Sequence, residues 1–131
     1  MYRALVVDDV KVNQNILKAL LQNNGHFEVD HASGTAEALH LCLLSPYDLV
    51  LLDLEMPNLK GDTFVQVIQE LKENQNIQHE ISIVLCTGVE DEERVNLLLE
   101  KEVVNGLLQK PIRPDQFNRF LYQFFVERQE V

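Results

Sequence analysis

Five short apolar runs alternate with five segments of helical period along the chain, and that alternation leaves few architectures open. Leu5-Val6-Val7 has the character of a buried strand and stops abruptly at Asp8-Asp9. Asn13, Ile16, Leu17, Leu20 and Leu21 then follow the i, i+3, i+4, i+7, i+8 spacing of an amphipathic helix, with Gly25 placed to terminate it. Phe27 to His31 is a weaker second strand. Ala36, Leu39 and Leu43 mark a second helix, which Ser45-Pro46 ends. Leu49-Val50-Leu51-Leu52 is the clearest strand and again ends on an acid, Asp53. Met56-Pro57-Asn58-Leu59-Lys60-Gly61 has the composition of a loop, and Phe64, Val67, Ile68 and Leu71 give a third helix. Ile81 to Cys86 forms a fourth strand ending at Thr87-Gly88. A fourth helix follows over about Asp91 to Glu102, with acids in its first turn where the helix dipole favours them. Leu107-Leu108 is a short fifth strand running into Gln109-Lys110-Pro111. Phe117, Phe120, Leu121, Phe124 and Phe125 supply the last helix.

Strict β-α alternation with apolar strands predicts a doubly wound α/β fold, a parallel sheet with helices on both faces. Right-handed crossovers and five strands favour the strand order 2-1-3-4-5, the flavodoxin-like arrangement. Residues 1–131 suit one domain, and no internal repeat, linker or low-complexity tract breaks them. The longest apolar stretches fall far short of the roughly 20 residues of a membrane span, and the N-terminus has no signal-peptide pattern. Cys42 and Cys86 are too few for a disulfide framework, which makes the cytoplasm the expected compartment and packing their expected role. The net charge of −10, with 11 basic residues against 21 acidic ones, offers no basic stripe. Nucleic acid and anionic membrane are therefore poor partners.

In an open α/β sheet, ligands sit at the carboxyl ends of the strands near the topological switch point. There the sequence places Asp8 and Asp9 after strand 1, Asp53 after strand 3, Thr87 after strand 4 and Lys110 after strand 5. A single Asp at a strand end is most often a turn or cap residue. Four strands ending in compatible groups at one sheet edge is much harder to explain by capping. Two like charges about 4 Å apart repel by roughly 4 kcal/mol at an effective dielectric near 20, and one lysine cannot neutralise three aspartates. A divalent cation does most of that work, and Mg2+ prefers one or two carboxylates with water and phosphate oxygens. The adjacent pair Asp8-Asp9 suits the metal and the lone Asp53 suits nucleophilic attack on phosphorus. Thr87 and Lys110 are placed to hold phosphoryl oxygens, by hydroxyl donation and by charge. The four histidines, His26, His31, His40 and His79, show no metal-ligand spacing.

These residues resemble the receiver domains of two-component response regulators over essentially the whole chain. Val6-Val7-Asp8-Asp9 is similar to the family's acidic pair after the first strand, and Ala32-Ser33-Gly34-Thr35-Ala36-Glu37-Ala38-Leu39 to the lead into its second helix. Asp53-Leu54-Glu55-Met56-Pro57 with Gly61 matches the phosphoacceptor segment. Thr87-Gly88 and Lys110-Pro111 match the switch position and the Lys-Pro pair. The resemblance implies Asp53 as phosphoacceptor and a metal site of Asp8, Asp9, Asp53 and the backbone carbonyl of Glu55, with Mn2+ as an alternative to Mg2+. It also implies a cis peptide bond before Pro111. It implies a histidine kinase or histidine phosphotransfer protein as donor, a downstream protein partner, and a homodimer formed through helix 4, strand 5 and helix 5. Asn13 after the acidic pair is most similar to receivers attached to hybrid histidine kinases; the same features fit stand-alone single-domain regulators.

Two positions depart from the family pattern. Leu107 stands where the family usually has a Tyr or Phe that swings with the switch residue, so output is expected through helix 4 and the loop after Thr87. Val103 stands where the family tends to have glycine, so helix 4 is expected to run longer or to end differently. Leu97-Leu98-Leu99 turn through about 200° of that helix, which predicts at least one outward leucine. No effector domain is legible, so output is expected through a partner or other domains of a longer chain. The chain is expected to catalyse only its own phosphorylation and dephosphorylation. One rival is a receiver-like protein-binding module that works without phosphorylation. Another is a haloacid-dehalogenase-type phosphatase, which carries its nucleophile after the first strand and its metal acids near the end, the reverse of the order here.

Overall fold

The computed structural model describes residues 1–56, 61–88 and 92–128. Strands and helices alternate as β1 (Tyr2–Val7), α1 (Lys11–Asn23), β2 (Phe27–Ala32), α2 (Thr35–Leu44), β3 (Leu49–Asp53), α3 (Gly61–Glu73), β4 (Ser82–Thr87), α4 (Glu92–Leu99), β5 (Val104–Gln109) and α5 (Pro114–Arg128). The five strands form one sheet in the order β2-β1-β3-β4-β5, all pairs parallel, as the alternation predicts. The predicted loop at Pro57 to Lys60 and the predicted helical start at Asp91 lie outside the described residues.

Period-2 alternation along the central strands divides the core between the two sheet faces. Leu5, Val7, Val50, Leu52, Ile83 and Leu85 meet Ala38 and Cys42 of α2, Phe64, Val65 and Ile68 of α3, and Val95 and Leu98 of α4. Ala4, Val6, Leu49, Leu51, Val84 and Cys86 face Leu17 and Leu21 of α1 and Phe117, Leu121 and Phe124 of α5. Each fully buried Leu or Phe contributes about 1.5–3 kcal/mol, so the central strands carry much of the fold's stability.

Helix boundaries follow local chemistry. Gly25, with φ +81°, closes α1 in the left-handed conformation that glycine adopts most readily, its N–H bonded to the Gln22 carbonyl. Ser45 ends α2, as expected.

Four expectations need correction. In α1 the buried side chains are Gln14, Leu17 and Leu21, whereas Ile16 is 50% exposed. In α2 they are Thr35, Ala38 and Cys42, a stripe rotated by one residue from the predicted one, leaving Leu43 exposed. That helix is apolar nearly all round, so its spacing does not single out a face. The strand at Leu107-Leu108 begins earlier, at Val104, and helix 4 ends at Leu99 rather than Glu102. The early end has a cause at Val103. Its side chain is buried in the core, its N–H donates to Gln69 Oε1 at 3.2 Å, and its carbonyl accepts from Ile83 N–H. A helix continued to Glu102 is incompatible with those bonds. Leu98 is buried while Leu97 and Leu99 are 58% and 37% exposed, so two leucines face outward.

Candidate functional site

Parallel pairing brings the carboxyl ends of β1, β3, β4 and β5 to one edge of the sheet, with the β1/β3 switch point in the middle. Asp53 is the last residue of β3 and Thr87 the last of β4; Asp8 and Lys110 directly follow β1 and β5. The carboxylate oxygens of Asp8, Asp9 and Asp53 lie within 4.8 Å of one another, and these form the one such cluster among the described residues. Asp8 and Asp53 are buried and Asp9 is exposed. The histidines take no part in it.

Asp53 Oδ1 accepts from Glu55 N–H at 2.9 Å and from Lys110 Nζ at 2.8 Å. Asp8 Oδ1 accepts from Val10 N–H at 2.9 Å, while its Oδ2 is buried with no hydrogen-bond partner among the described residues. Burial pushes the Asp8 carboxyl above its ordinary range, and the charges of Asp53 and Asp9 add to the rise; the Val10 N–H and Lys110 offset part of it. Burial opposes the charge of Lys110, but its hydrogen bond to Asp53 and the nearby carboxylates outweigh that, and its pKa is raised. An all-oxygen donor set with an unpartnered, buried carboxylate oxygen fits a hard divalent cation such as Mg2+.

The Lys110–Pro111 peptide bond is cis, as expected. Thr87 is buried, and its carbonyl accepts from Lys110 N–H at 3.0 Å. Asn13 lines a small cleft with Asp8, Lys110, Pro111 and Ile112. Leu107, on the edge strand, is 38% exposed. Cys42 and Cys86 are free and buried, and burial pushes both thiols up to about 12, in keeping with a packing role.

Three side chains at or beside the site were not identified from the sequence. Glu55, read there only for its carbonyl, accepts from Gly88 N–H with Oε1 and holds Oε2 3.8 Å from Lys110 Nζ. Gly88 leaves room for that approach, since an added Cβ would sit 3.1 Å from Oε1. Gln14, buried in α1, donates to the Asp8 carbonyl and to Ser33 Oγ, fixing the acidic loop against the next one. Arg94 of α4 donates to the Leu54 carbonyl at 3.2 Å, one residue beyond Asp53.

The sequence profile of the response regulator receiver domain matches residues 4–121. This chain belongs to that family. The receiver is 30% identical over 130 residues to the autoinducer 2 sensor kinase/phosphatase LuxQ of Vibrio parahaemolyticus, covering 96% of this chain and 14% of that protein. It is 35% identical over 88 residues to the response regulator PleD of Caulobacter vibrioides, covering 67% and 18%. A crystal structure of a two-component response regulator from Clostridium difficile shares the fold at TM-score 0.85 and 20% identity, covering 99% of this chain and all of that one. In eight curated relatives the match covers between 6 and 36% of their length. As a receiver domain it is a module of two-component signal transduction.

Proposed function

We propose that this receiver, taken as one domain over residues 1–131, is a switch that accepts a phosphoryl group on Asp53. The supporting observation is the convergence of three carboxylates within 4.8 Å, with Lys110 already bonded to the one that ends the central strand. The donor is the phosphohistidine of a histidine kinase or phosphotransfer protein. An Asp53 carboxylate oxygen forms a bond to phosphorus as the P–N bond breaks, and the imidazole takes up a proton as it leaves. Asp8, Asp9, Asp53 and the Glu55 carbonyl are the groups that would hold Mg2+ (or Mn2+). The ion supplies positive charge against the carboxylates and the phosphoryl oxygens. Lys110 Nζ, the Thr87 hydroxyl and the Gly88 N–H then serve the phosphoryl oxygens, which requires the Glu55 carboxylate to leave Gly88. Output passes to a downstream protein or a second copy through α4, β5 and α5, in the cytoplasm.

Intact mass after incubation with acetyl phosphate, with and without Mg2+, tests the reading. One added phosphoryl group is expected, dependent on Mg2+, labile to hydroxylamine and absent in Asp53→Asn. Labelling of Asp53→Asn at the wild-type rate overturns the assignment. One observation favours the rival binding module: Glu55 already places a carboxylate on Gly88 N–H beside Lys110. Partner binding that is indifferent to both acetyl phosphate and Asp53→Asn would select that reading.

A further inference from the structure

Arg94 reaches from α4 to both ends of the segment that follows the acceptor. Its Nη1 donates to the Leu54 carbonyl at 3.2 Å, its Nε donates to the Asp62 carboxylate oxygens at 2.9 and 3.1 Å, and its Nη2 also donates to Asp62 Oδ1. Leu54 directly follows Asp53, and Asp62 lies in the first turn of α3. A planar guanidinium can grip a carboxylate with one fork and a carbonyl with another donor at fixed relative angles, which an ammonium cannot.

The attachment matters because, among the described residues, α4 is otherwise thinly held. It has eight residues, and only Val95 and Leu98 are buried. An element with so few buried apolar contacts opens at low free-energy cost and moves readily. Leu54, by contrast, is pinned on its other sides. Its N–H donates to the Cys86 carbonyl at 3.0 Å, and its Cδ2 presses close to Gly61, within 3.1 Å of where a Cβ would stand. A change in the backbone at Asp53-Leu54-Glu55 therefore has little freedom to relax locally, and the Leu54 carbonyl moves with it.

We propose that Arg94 is a positioning residue that ties α4 to the Leu54 carbonyl in the resting state, anchored on Asp62. A change at Asp53 then reaches α4 by altering that bond. Linkage makes the tie reciprocal, so a partner that grips α4 shifts the acceptor segment in turn. The trigger rests on the phosphoryl-accepting reading above, whereas the resting tie does not.

NMR shifts and amide hydrogen exchange on wild type, Arg94→Met, Arg94→Lys and Asp62→Asn, all with Mg2+ and with or without beryllofluoride, test it. In the resting protein, Arg94→Met should shift the Leu54 carbonyl resonance and speed exchange about tenfold in both residues 54–56 and α4, with Arg94→Lys restoring part of each. With beryllofluoride, seen bound by its fluorine resonance, Arg94→Met should fill the acceptor site while α4 no longer responds. An α4 response equal to wild type in Arg94→Met overturns the proposal, as does an unchanged Leu54 carbonyl. A wild type that binds no beryllofluoride defeats the phosphoryl-accepting reading instead. The tie is then judged by the resting state alone: joint loosening of Leu54 and α4 supports it, and independent behaviour overturns it. If Arg94→Met does not fold, Asp62→Asn, which keeps shape and removes the anchor's charge, carries the same comparison.

Discussion

Lys110 Nζ sits 2.8 Å from Asp53 Oδ1, joining the end of β3 to the residue after β5 across the intervening β4. Among the described residues the lysine is one positive charge beside the carboxylates of Asp8, Asp9, Asp53 and Glu55, a negative excess that a further cation would offset.

That excess predicts a gain of stability when one charge is deleted in place. An asparagine at 53 retains an oxygen able to accept from Lys110 Nζ and Glu55 N–H, while the repulsion with Asp8 and Asp9 disappears. Asp53→Asn should be more stable than wild type by about 1 kcal/mol in chelator, a fraction of the bare pair repulsion because Asp9 is solvated. The difference should vanish in saturating Mg2+. Urea denaturation in both conditions measures it, and a destabilised variant in chelator contradicts the charge account.

Metal binding should depend on the acid that lies inside as well as the one outside. Asp8 carries the unpartnered buried oxygen and Asp9 the solvated one. Asp8→Asn and Asp9→Ala should each weaken Mg2+ binding about tenfold or more, equivalent to about 1.4 kcal/mol. Calorimetric titration, or Mn2+ relaxation as a proxy, reports the affinity directly; unchanged binding in both variants rules out this site.

On the proposed reading, Glu55 occupies a donor that a phosphoryl group on Asp53 would need. Its carboxylate accepts from Gly88 N–H and adds a negative charge 3.8 Å from Lys110 Nζ. Glu55→Gln should speed labelling by acetyl phosphate about fivefold, the equivalent of about 1 kcal/mol of removed repulsion at a partly solvated distance. The time course of intact mass decides; slower labelling assigns Glu55 a supporting part instead.

Acid pH should expose the Asp62–Arg94 pair. The hydrogen bonds from Arg94 hold the Asp62 carboxyl below its ordinary range, against an opposing effect of burial. A carboxyl whose folded pKa is depressed contributes stability above its unfolded pKa of about 3.9 and loses it as pH falls through the folded value. Asp62→Asn should therefore be less stable than wild type above about pH 5, and the gap should close as pH falls below about 4. Because the Asp62 side chain is 45% exposed, the gap at neutral pH should be about 1 kcal/mol or less. Denaturant midpoints across that pH range measure it.

The strand ends were legible because an acid after an unbroken apolar run interrupts two patterns at once. Asp8 and Asp53 follow from that, the strand order follows from right-handed crossovers, and the structure has that order and brings the two acids together. Helix faces were less legible. Ile16 and Leu17 are equally apolar, yet α1 buries Leu17 together with the polar Gln14, which donates to the Asp8 carbonyl and Ser33 Oγ. The side chains of Glu55, Gln14 and Arg94 act through partners 33, 19 and 40 residues away, and such contacts leave no spacing to detect. Val103 gave only a departure from a pattern. Its meaning depends on Gln69, which is likewise distant in sequence.

Leu97 and Leu99 flank the buried Leu98, so α4 presents two large apolar side chains to solvent while a third holds the helix down. Leu107 adds a third exposed apolar side chain on β5, which pairs with β4 on one side and is the sheet's edge on the other. Exposed apolar side chains grouped on one face mark interaction sites, α4 and β5 are neighbours, and an unpaired strand edge adds backbone donors and acceptors. Removing the apolar character of α4 should therefore weaken association without unfolding the domain, because neither leucine contributes to the core. In sedimentation velocity with Mg2+ and beryllofluoride, wild type should self-associate more than without beryllofluoride. Leu97→Glu should abolish that increase, and Leu99→Glu, at a less exposed position, should reduce it. Denaturant midpoints within about 0.5 kcal/mol of wild type would show that the variants act at the surface. Should both variants associate as wild type does, the second copy is not held by α4.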